Sequence, residues 1–316
     1  MIRLILIRIA WAIVMLLFVS VIIFVAIEAL PGDMATAYLR RDATPENLVI
    51  YREEFGLNRP LHVRYLEWFL GIIQGDFGTS PLRPQPISEI IGYRLRNTMV
   101  LGLSAAVVGI PLAIVLGILT ALTRDQKPDI IFSAISLTLM TLPEFVVGFL
   151  LIFFVGIQFK LLPAINVAEV DAPLSELLPN IILPIITLTC LMVAHILRLV
   201  RTSMIDVMES EFVQMAQLKG SPRWRVVLYH ALPNAMLPTI NIIALTIGWL
   251  IGGSVIIEEM FNFPGLGTAI LVGISSRDFM LMQGIAMVLA TVYIGLNLAA
   301  DLISLILNPR LRSART

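Results

Sequence analysis

Apolar residues run through this chain in long unbroken blocks, and polar residues collect between them. The first block, Ile9 to Ala29, follows Arg3 and Arg8, and five more lie at about 98–122, 130–158, 181–200, 236–257 and 281–307. Each has the roughly 20 residues that an α-helix needs to cross a bilayer. The pattern predicts an all-α membrane protein with six transmembrane helices, both termini on one side. A signal peptide also opens on positive charge, but its apolar core is shorter. The first block is therefore read as an uncleaved span, with a cleaved signal as the alternative.

On this reading the chain divides into residues 1–30 (N-terminus and first span), a polar segment at 31–97, and a five-helix core at 98–316 with an internal loop at 201–235. The polar segment has its own helical period. Thr44-Pro45 starts a helix that Gly56 ends, and a second follows Pro60 with Leu61, Tyr65, Trp68, Phe69 and Ile72 on one face. Asp76 to Pro86 is a loop. These signals predict a small helical cap packed on one membrane face.

Composition sharpens the picture. A chain of 316 residues that is 58% hydrophobic and 14% charged is too apolar for a soluble globule of this size. Its formal net charge of zero leaves no basic excess for nucleic acid, while membrane lipid is an obligatory partner. The single cysteine, Cys190, excludes an intrachain disulfide and a cysteine-based metal site. Lys and Arg set the orientation. With the N-terminus inside, inner segments carry Arg3, Arg8, Arg124, Lys127, Arg198, Arg201, Lys219, Arg223, Arg225, Arg310, Arg312 and Arg315, and short outer segments only Lys160 and Arg277. The count puts both termini and the 201–235 loop in the cytoplasm and 31–97 outside.

The loop from Ser210 to Pro238 spends much polar sequence between two apolar blocks. Phe212, Met215, Ala216 and Lys219 give one modest edge of a first short helix, beside Glu211, Gln214 and Gln217, and Gly220 suits its C-terminus. Ser221 as N-cap and Pro222 at the first position open a second helix, with Trp224, Val227, Leu228 and Ala231 on one side and an end near Pro233. From spacing alone two readings stand: a connector lying on lipid headgroups, or a docking element.

Covalent chemistry has no carrier here. The sequence contains no GxxxxGK[ST] phosphate loop, no HExxH and no GxSxG, and His62, His195 and His230 lie far apart. Ionisable residues within spans are costly in lipid and so draw notice. Glu144 follows Pro143 near the middle of the third block, where the proline kinks the helix. It reads either as part of a polar translocation path, with Asn241 as a further candidate, or as a buried hydrogen-bonded packing residue. His195, Asn241, Asn297 and Asp301 read as interhelical contacts, Asp301 within reach of Arg310, and Gly248 with Gly252 form a GxxxG.

The loop then meets a familiar pattern. Gln214-Met215-Ala216, Gly220 and His230-Ala231-Leu232-Pro233 resemble the EAA loop of bacterial ABC importer permeases, with departures at the Glu and Ile positions. Leu30-Pro31-Gly32-Asp33, Phe55-Gly56-Leu57, Gly75-Asp76-Phe77-Gly78, Gly252-Gly253-Ser254 through Glu258, Pro264-Gly265-Leu266-Gly267, Arg277-Asp278, Asp301 and Pro309-Arg310 resemble signatures of the dipeptide/oligopeptide/nickel type, although Asn308 stands where Asp is the family's residue. The resemblance implies a type I ABC importer permease that forms half of a translocation pathway for a peptide or similar small solute. It implies no cofactor of its own, since ATP binds to partner subunits. The partners implied are a second permease, two cytoplasmic ATP-binding subunits and an extracytoplasmic solute-binding protein. Glu211, Phe212, Gln214, Met215, Ala216, Lys219 and Gly220 would form the coupling helix that docks on an ATPase. The rival reading is an ion-coupled secondary transporter or channel using Glu144. On the resemblance, Gly220→Pro or Ala216→Arg abolishes transport in an uptake assay while the chain still inserts into the membrane.

Overall fold

A computed structural model describes residues 2–39, 42–80, 82, 85–252 and 254–307. Among the described residues the regular elements are all helices, joined by loops such as 159–173, and an isolated antiparallel bridge joins Thr79 to Pro86. Four helices are long and apolar enough to cross a membrane, and the number is six if each of two bent pairs is one span.

Helix α1 (Ile2–Glu28) fully buries only Ser20 and Phe24, keeps a half-buried edge that includes Ala12, Leu16, Val19 and Ile23, and exposes most of its other apolar side chains, as a lipid-facing helix requires. After it come α2 (Met34–Leu39), α3 (Pro45–Glu54) and α4 (Leu61–Ile73). The Thr44 hydroxyl caps α3 by accepting from Asn47 N, and Gly56 ends it with φ +64°. The aromatic face of α4 packs on the end of α1: Tyr65 OH lies 2.8 Å from Ser20 Oγ, and the Phe24 ring meets Tyr65 edge-on at 5.5 Å. Arg64 grips Glu28 with both terminal nitrogens, at 2.6 and 2.9 Å. Glu28 is thus an anchor for the cap.

Helix α5 (Ile87–Leu122) begins well before the expected start at 98, so the boundary placed at 97 falls inside one continuous helix. Ile87, Ile90 and Ile91 are buried against Leu266, Ala269, Leu281 and Ile285. Arg94, Arg96 and Asn97 interrupt the apolar run in sequence but spend their donors on backbone carbonyls. Helices α6 (Lys127–Thr141) and α7 (Glu144–Leu151, continued by a π-helical stretch Ile152–Gln158) replace the expected kinked third span. The chain turns by 108° between them. Leu142 and Pro143 are both extended (ψ 133° and 141°), because the residue before a proline is pushed out of the helical region.

Helix α8 (Leu174–Asn180) leads into α9 (Ile182–Met208), which runs parallel to α5 at close range. Two glycines allow it. A Cβ on Gly117 would lie 2.6 Å from Val200 Cβ, and one on Gly109 would meet Met192 Cε at 2.0 Å. The rest are α10 (Glu211–Leu218), α11 (Arg223–Arg225), α12 (Leu232–Gly252), α13 (Val255–Met260), α14 (Leu266–Ser276) and α15 (Phe279–Leu307). Gly248 lies against the Tyr293 ring of α15, whereas Gly252 faces open space, so only half of the GxxxG makes a close approach.

Several expected contacts resolve differently. Asp301 pairs with Arg8 on α1; Arg310, Asn308, Pro309 and Gly253 lie outside the described residues, as does the Asn241 side chain. Asn297 donates to Tyr293 O of its own helix, and His195 is exposed with no hydrogen bond among the described residues. His195 faces away from the side of α9 that is buried in the core.

Candidate functional site

Two regions concentrate the polar and exposed apolar residues that the fold alone does not need: the loop between α9 and α12, and the end of the bundle that carries the cap.

In the loop, Ser210 O accepts the first bonds of α10 from Val213 N and Gln214 N. Val213 is fully buried, and Ala216 packs beside it against a cluster that includes Met204, Val226, Val227 and Ala231. The i, i+3 pair Val213/Ala216 holds the helix down. The other edge stands free: Phe212, Met215 and Leu218 are 48%, 54% and 83% exposed. Phe212, Met215 and Ala216 therefore do not share one edge, and Ala216 belongs to the inward face. Gln214, at a family Glu position, donates to Glu209 O at 3.0 Å, while Glu211 and Lys219 are exposed.

Gly220 closes α10 with φ +77°. Its N–H donates to Gln217 O at 2.9 Å and the next N–H, of Ser221, to Ala216 O at 3.3 Å, the pair of bonds that define a Schellman turn. No atom lies within 4 Å of where a Cβ would sit, so the demand for glycine is conformational. Pro222, not Ser221, caps the next helix, its carbonyl accepting from Arg225 N and Val226 N. Val226, Val227 and Ala231 form the buried side, while Trp224 and Leu228 are exposed. The helix does not end near Pro233. A π-helical stretch, Val226–Ala231, widens it so that Leu232 N bonds Val227 O. The missing N–H of Pro233 then falls where the bonding register shifts, and Asn234 Nδ2 donates to His230 O at 2.8 Å.

At the break between α6 and α7, Glu144 is the first residue of α7 and is half-buried. Its carboxylate makes no hydrogen bond or ion pair among the described residues.

The cap end holds a buried carboxylate whose importance spacing did not reveal. Glu258, on α13 past the end of the α12 span, is fully buried. Its Oε1 accepts from Thr98 Oγ1 at 2.7 Å and Ser254 Oγ at 3.2 Å; its Oε2 accepts from Gly267 N at 2.7 Å and Thr268 N at 3.3 Å. The carboxylate thereby caps the N-terminus of α14 and ties it to α5, where anionic charge is favoured. Thr98 also accepts from Leu266 N, and Asn97 donates to Pro264 O and Val170 O. A Cβ at Gly265 would come within 2.3 Å of the carboxylate, so glycine is required there. Burial pushes the Glu258 carboxyl above its ordinary value, and the bonds from Thr98, Gly267, Thr268 and Ser254 act in the opposite direction. The signal available in sequence was a Glu258-Glu259 pair closing an apolar run, six residues ahead of Pro264-Gly265-Leu266-Gly267.

Residues 109–313 match the family described as the binding-protein-dependent transport system inner membrane component, and residues 1–101 match the N-terminal part of such membrane components. The chain belongs to this permease family. It is 30% identical, over 96% of its length and 97% of the relative's, to a protein of Sinorhizobium fredii named a probable peptide ABC transporter permease, y4tP. It is 31% identical to the glutathione transport system permease GsiC of Salmonella typhimurium and 30% identical to that of Escherichia coli K12, each over 94% of both chains. The protein is thus a multi-pass ABC importer permease subunit of the inner membrane and not itself an enzyme, and an ion-coupled carrier built on Glu144 is not favoured.

In this permease the motifs that carried the resemblance prove to be turns and caps. Gly75 and Gly78 have φ of +80° and +77°, and Asp76 Oδ1 accepts from Gly78 N between them. Asp33 caps α2 through Thr36 N and pairs with Arg52 at 2.6 Å; against the upward push of burial, hydrogen bonds from Thr36 and Arg52 hold its carboxyl below the ordinary value. Asp278 accepts from Ser80 and Leu281 N, fastening the loop before α5 to the start of α15. Arg277 takes the left-handed conformation and reaches Pro31 O.

Glu258→Ala leaves two hydroxyls and two N–H groups without an acceptor, and denaturant unfolding in mild detergent is expected to register a loss of about 2–4 kcal/mol. Glu258→Gln keeps the shape and is expected to cost less than about 1.5 kcal/mol. Because the folded carboxyl holds its proton to higher pH than the unfolded one, its contribution to native stability falls as pH rises through the interval between the ordinary and the raised pKa. Glu258→Gln should lack that slope.

Proposed function

We propose that this permease pairs with a second permease and two ATP-binding subunits, and passes a peptide-like solute delivered by an extracytoplasmic binding protein. The observation that carries the reading is the form of α10. An eight-residue helix with three exposed apolar side chains, held from behind by Val213 and Ala216 and closed by a Schellman turn at Gly220, is a built docking surface. Phe212, Met215 and Leu218 enter a groove of the ATPase, with Glu211 and Lys219 at the rim. Gln214, Ala216 and Gly220 act by setting the helix's position. Membrane lipid alone is the weaker occupant, since a helix fixed to the bundle by Val213 and Ala216 presents its apolar edge at a set position, which serves a partner better than a headgroup layer.

The positive charges of the loop and of the α5–α6 turn favour a cytoplasmic location for α10 and both termini, which puts the α2–α4 cap outside, where it receives the binding protein. Glu144, unpaired at the break in the third span, and Asn241 in α12 contribute to the path between the two permeases. A peptide is the favoured solute because the relatives' names specify a peptide and glutathione, itself a peptide, and Glu144 offers a carboxylate to an amino terminus.

The test is purification from the native membrane in mild detergent, with mass spectrometric identification of co-purifying chains, for the native protein and for Leu218→Arg. The native chain should bring a second permease and ATPases. A charge in an apolar pocket costs about 2–4 kcal/mol, so Leu218→Arg should reduce ATPase recovery at least about thirtyfold at unchanged membrane level. Undiminished ATPase recovery, or a native chain that purifies alone and moves solute without ATP, would overturn the proposal.

A further inference from the structure

Helix α4 arranges its side chains in three sectors, and the chain covers only two of them. The first is aromatic and packs on α1: the Phe24 ring lies 5.5 Å from Tyr65 and 5.7 Å from Trp68, and Phe69 stacks on Tyr65 at 5.8 Å. The second is polar. Arg64 holds Glu28, Glu67 pairs with Arg59, and Gly71 lies under the returning chain, with Asp76 O 2.9 Å from where its Cβ would sit. Arg64, Glu67 and Gly71 line one wall of a cavity of about 680 Å³ that the cap encloses with the ends of α1 and α15. The third sector, Leu66, Leu70 and Ile73, lines no part of that cavity and is 52%, 52% and 65% exposed.

Two contacts fix how the helix is rotated relative to the membrane. Glu28 ends α1 at the cap-side edge of the apolar block Ile9–Ala29, whereas Ser20 lies about 12 Å deeper at the helical rise of about 1.5 Å per residue. Arg64 reaches the shallow residue, Glu28, and the neighbouring Tyr65 reaches the deep one, its OH 2.8 Å from Ser20 Oγ. The step of about 100° from Arg64 to Tyr65 therefore runs from headgroup level toward the bilayer interior. A further turn of about 80° to 140° in the same sense arrives at Ile73, Leu66 and Leu70, while about 60° back from Arg64 arrives at Glu67. The polar sector thus faces water, and the uncovered apolar sector faces the hydrocarbon. His62 shares that lower sector in the first turn of the helix, at the end next to Arg59. Between the levels of Ser20 and Glu28, α1 itself exposes Val21, Ile22 and Val25, so acyl chains already line the bundle at the depth that α4 occupies.

We propose that α4 is an interfacial helix seated in the leaflet on the cap side, with Leu66, Leu70 and Ile73 among lipid acyl chains and its polar sector forming the floor of the cavity above. Tyr65 and Trp68 then stand at the depth where amphipathic aromatic rings are favoured. The occupant of the apolar sector is lipid, because that sector continues the lipid-facing surface of α1 below the Glu28–Arg64 pair. A protein that approaches the cap from water meets the opposite side of the helix. The inference goes beyond the importer function and does not depend on it.

The experiment uses the permease purified with its co-purifying subunits, in a Cys190→Ala background, reconstituted in phosphatidylethanolamine/phosphatidylglycerol vesicles. Single spin labels are placed at Leu66→Cys, Leu70→Cys and Ile73→Cys, with Val25→Cys on α1 as the lipid reference and Glu53→Cys on α3 as the water reference. Collision rates are measured with oxygen, which concentrates in hydrocarbon, and with a neutral nickel chelate, which is excluded from it. All three α4 labels should shift to the high-oxygen, low-nickel ratio of Val25→Cys, in variants whose thermal midpoint stays near that of the Cys190→Ala parent. Nickel rates equal to those at Glu53→Cys would place the sector in water and overturn the proposal. Low rates with both reagents would show a protein surface covering it, which overturns the proposal equally. Neither result touches the importer reading, which stands or falls on the co-purifying ATPases.

Discussion

Close contact between α5 and α9 is the constraint on which the rest of the molecule depends. In lipid, two apolar helices gain little from hiding from solvent, so their association rests on dispersion at short range and on polar groups that find partners. Gly109 and Gly117 remove the side chains that would hold the helices apart, and Thr189, Met192 and Val200 fill the space. Every other feature hangs on this pair. The cap end is stitched to α5 through Arg94, Asn97 and Thr98, and the opposite end is tied to α9 through Arg201, which pairs with Asp129 of α6.

Polar groups follow a strict economy. Of the described buried side-chain polar atoms, only Asn166 Oδ1 has no hydrogen-bond partner. Glu258, Asp129 and Asn97 are each saturated by donors or acceptors from two or more elements, so each joins pieces that are distant in sequence. Each such group is also a point of specificity, because a slip of either helix would leave a charge or a donor unpaired in a low-dielectric setting.

The loop helix shows the reverse design. It is attached by two small apolar contacts, Val213 and Ala216, and leaves larger ones exposed. A helix held weakly from behind and offered outward can bind a partner without rebuilding the bundle. Its stiffness comes from backbone geometry at Gly220 and from the unbroken run of α9 before it.

The sequence by itself determined the helical class, the apolar blocks that span, the cap with its helix starts at Thr44 and Pro60, the turn at Gly220 and the family. These are local or compositional properties, written by runs of apolar residues, proline and glycine positions and short-range periodicity. What the tertiary structure decided was which polar residues interrupting those runs are structural. Arg94 and Asn97 looked like the end of a polar segment and lie inside a helix, because the carbonyl of residue 265 reaches Arg94 and those of residues 170 and 264 reach Asn97. Pro143 looked like a kink and is a break, since α7 finds its contacts between Thr187 of α9 and Met260 of α13. Ala216 looked outward and packs inward, since Val226 and Ala231 return beneath it. Glu258 and the Asp129–Arg201 pair were invisible to spacing because their partners lie far away in sequence, and a buried charge is defined by the groups that surround it.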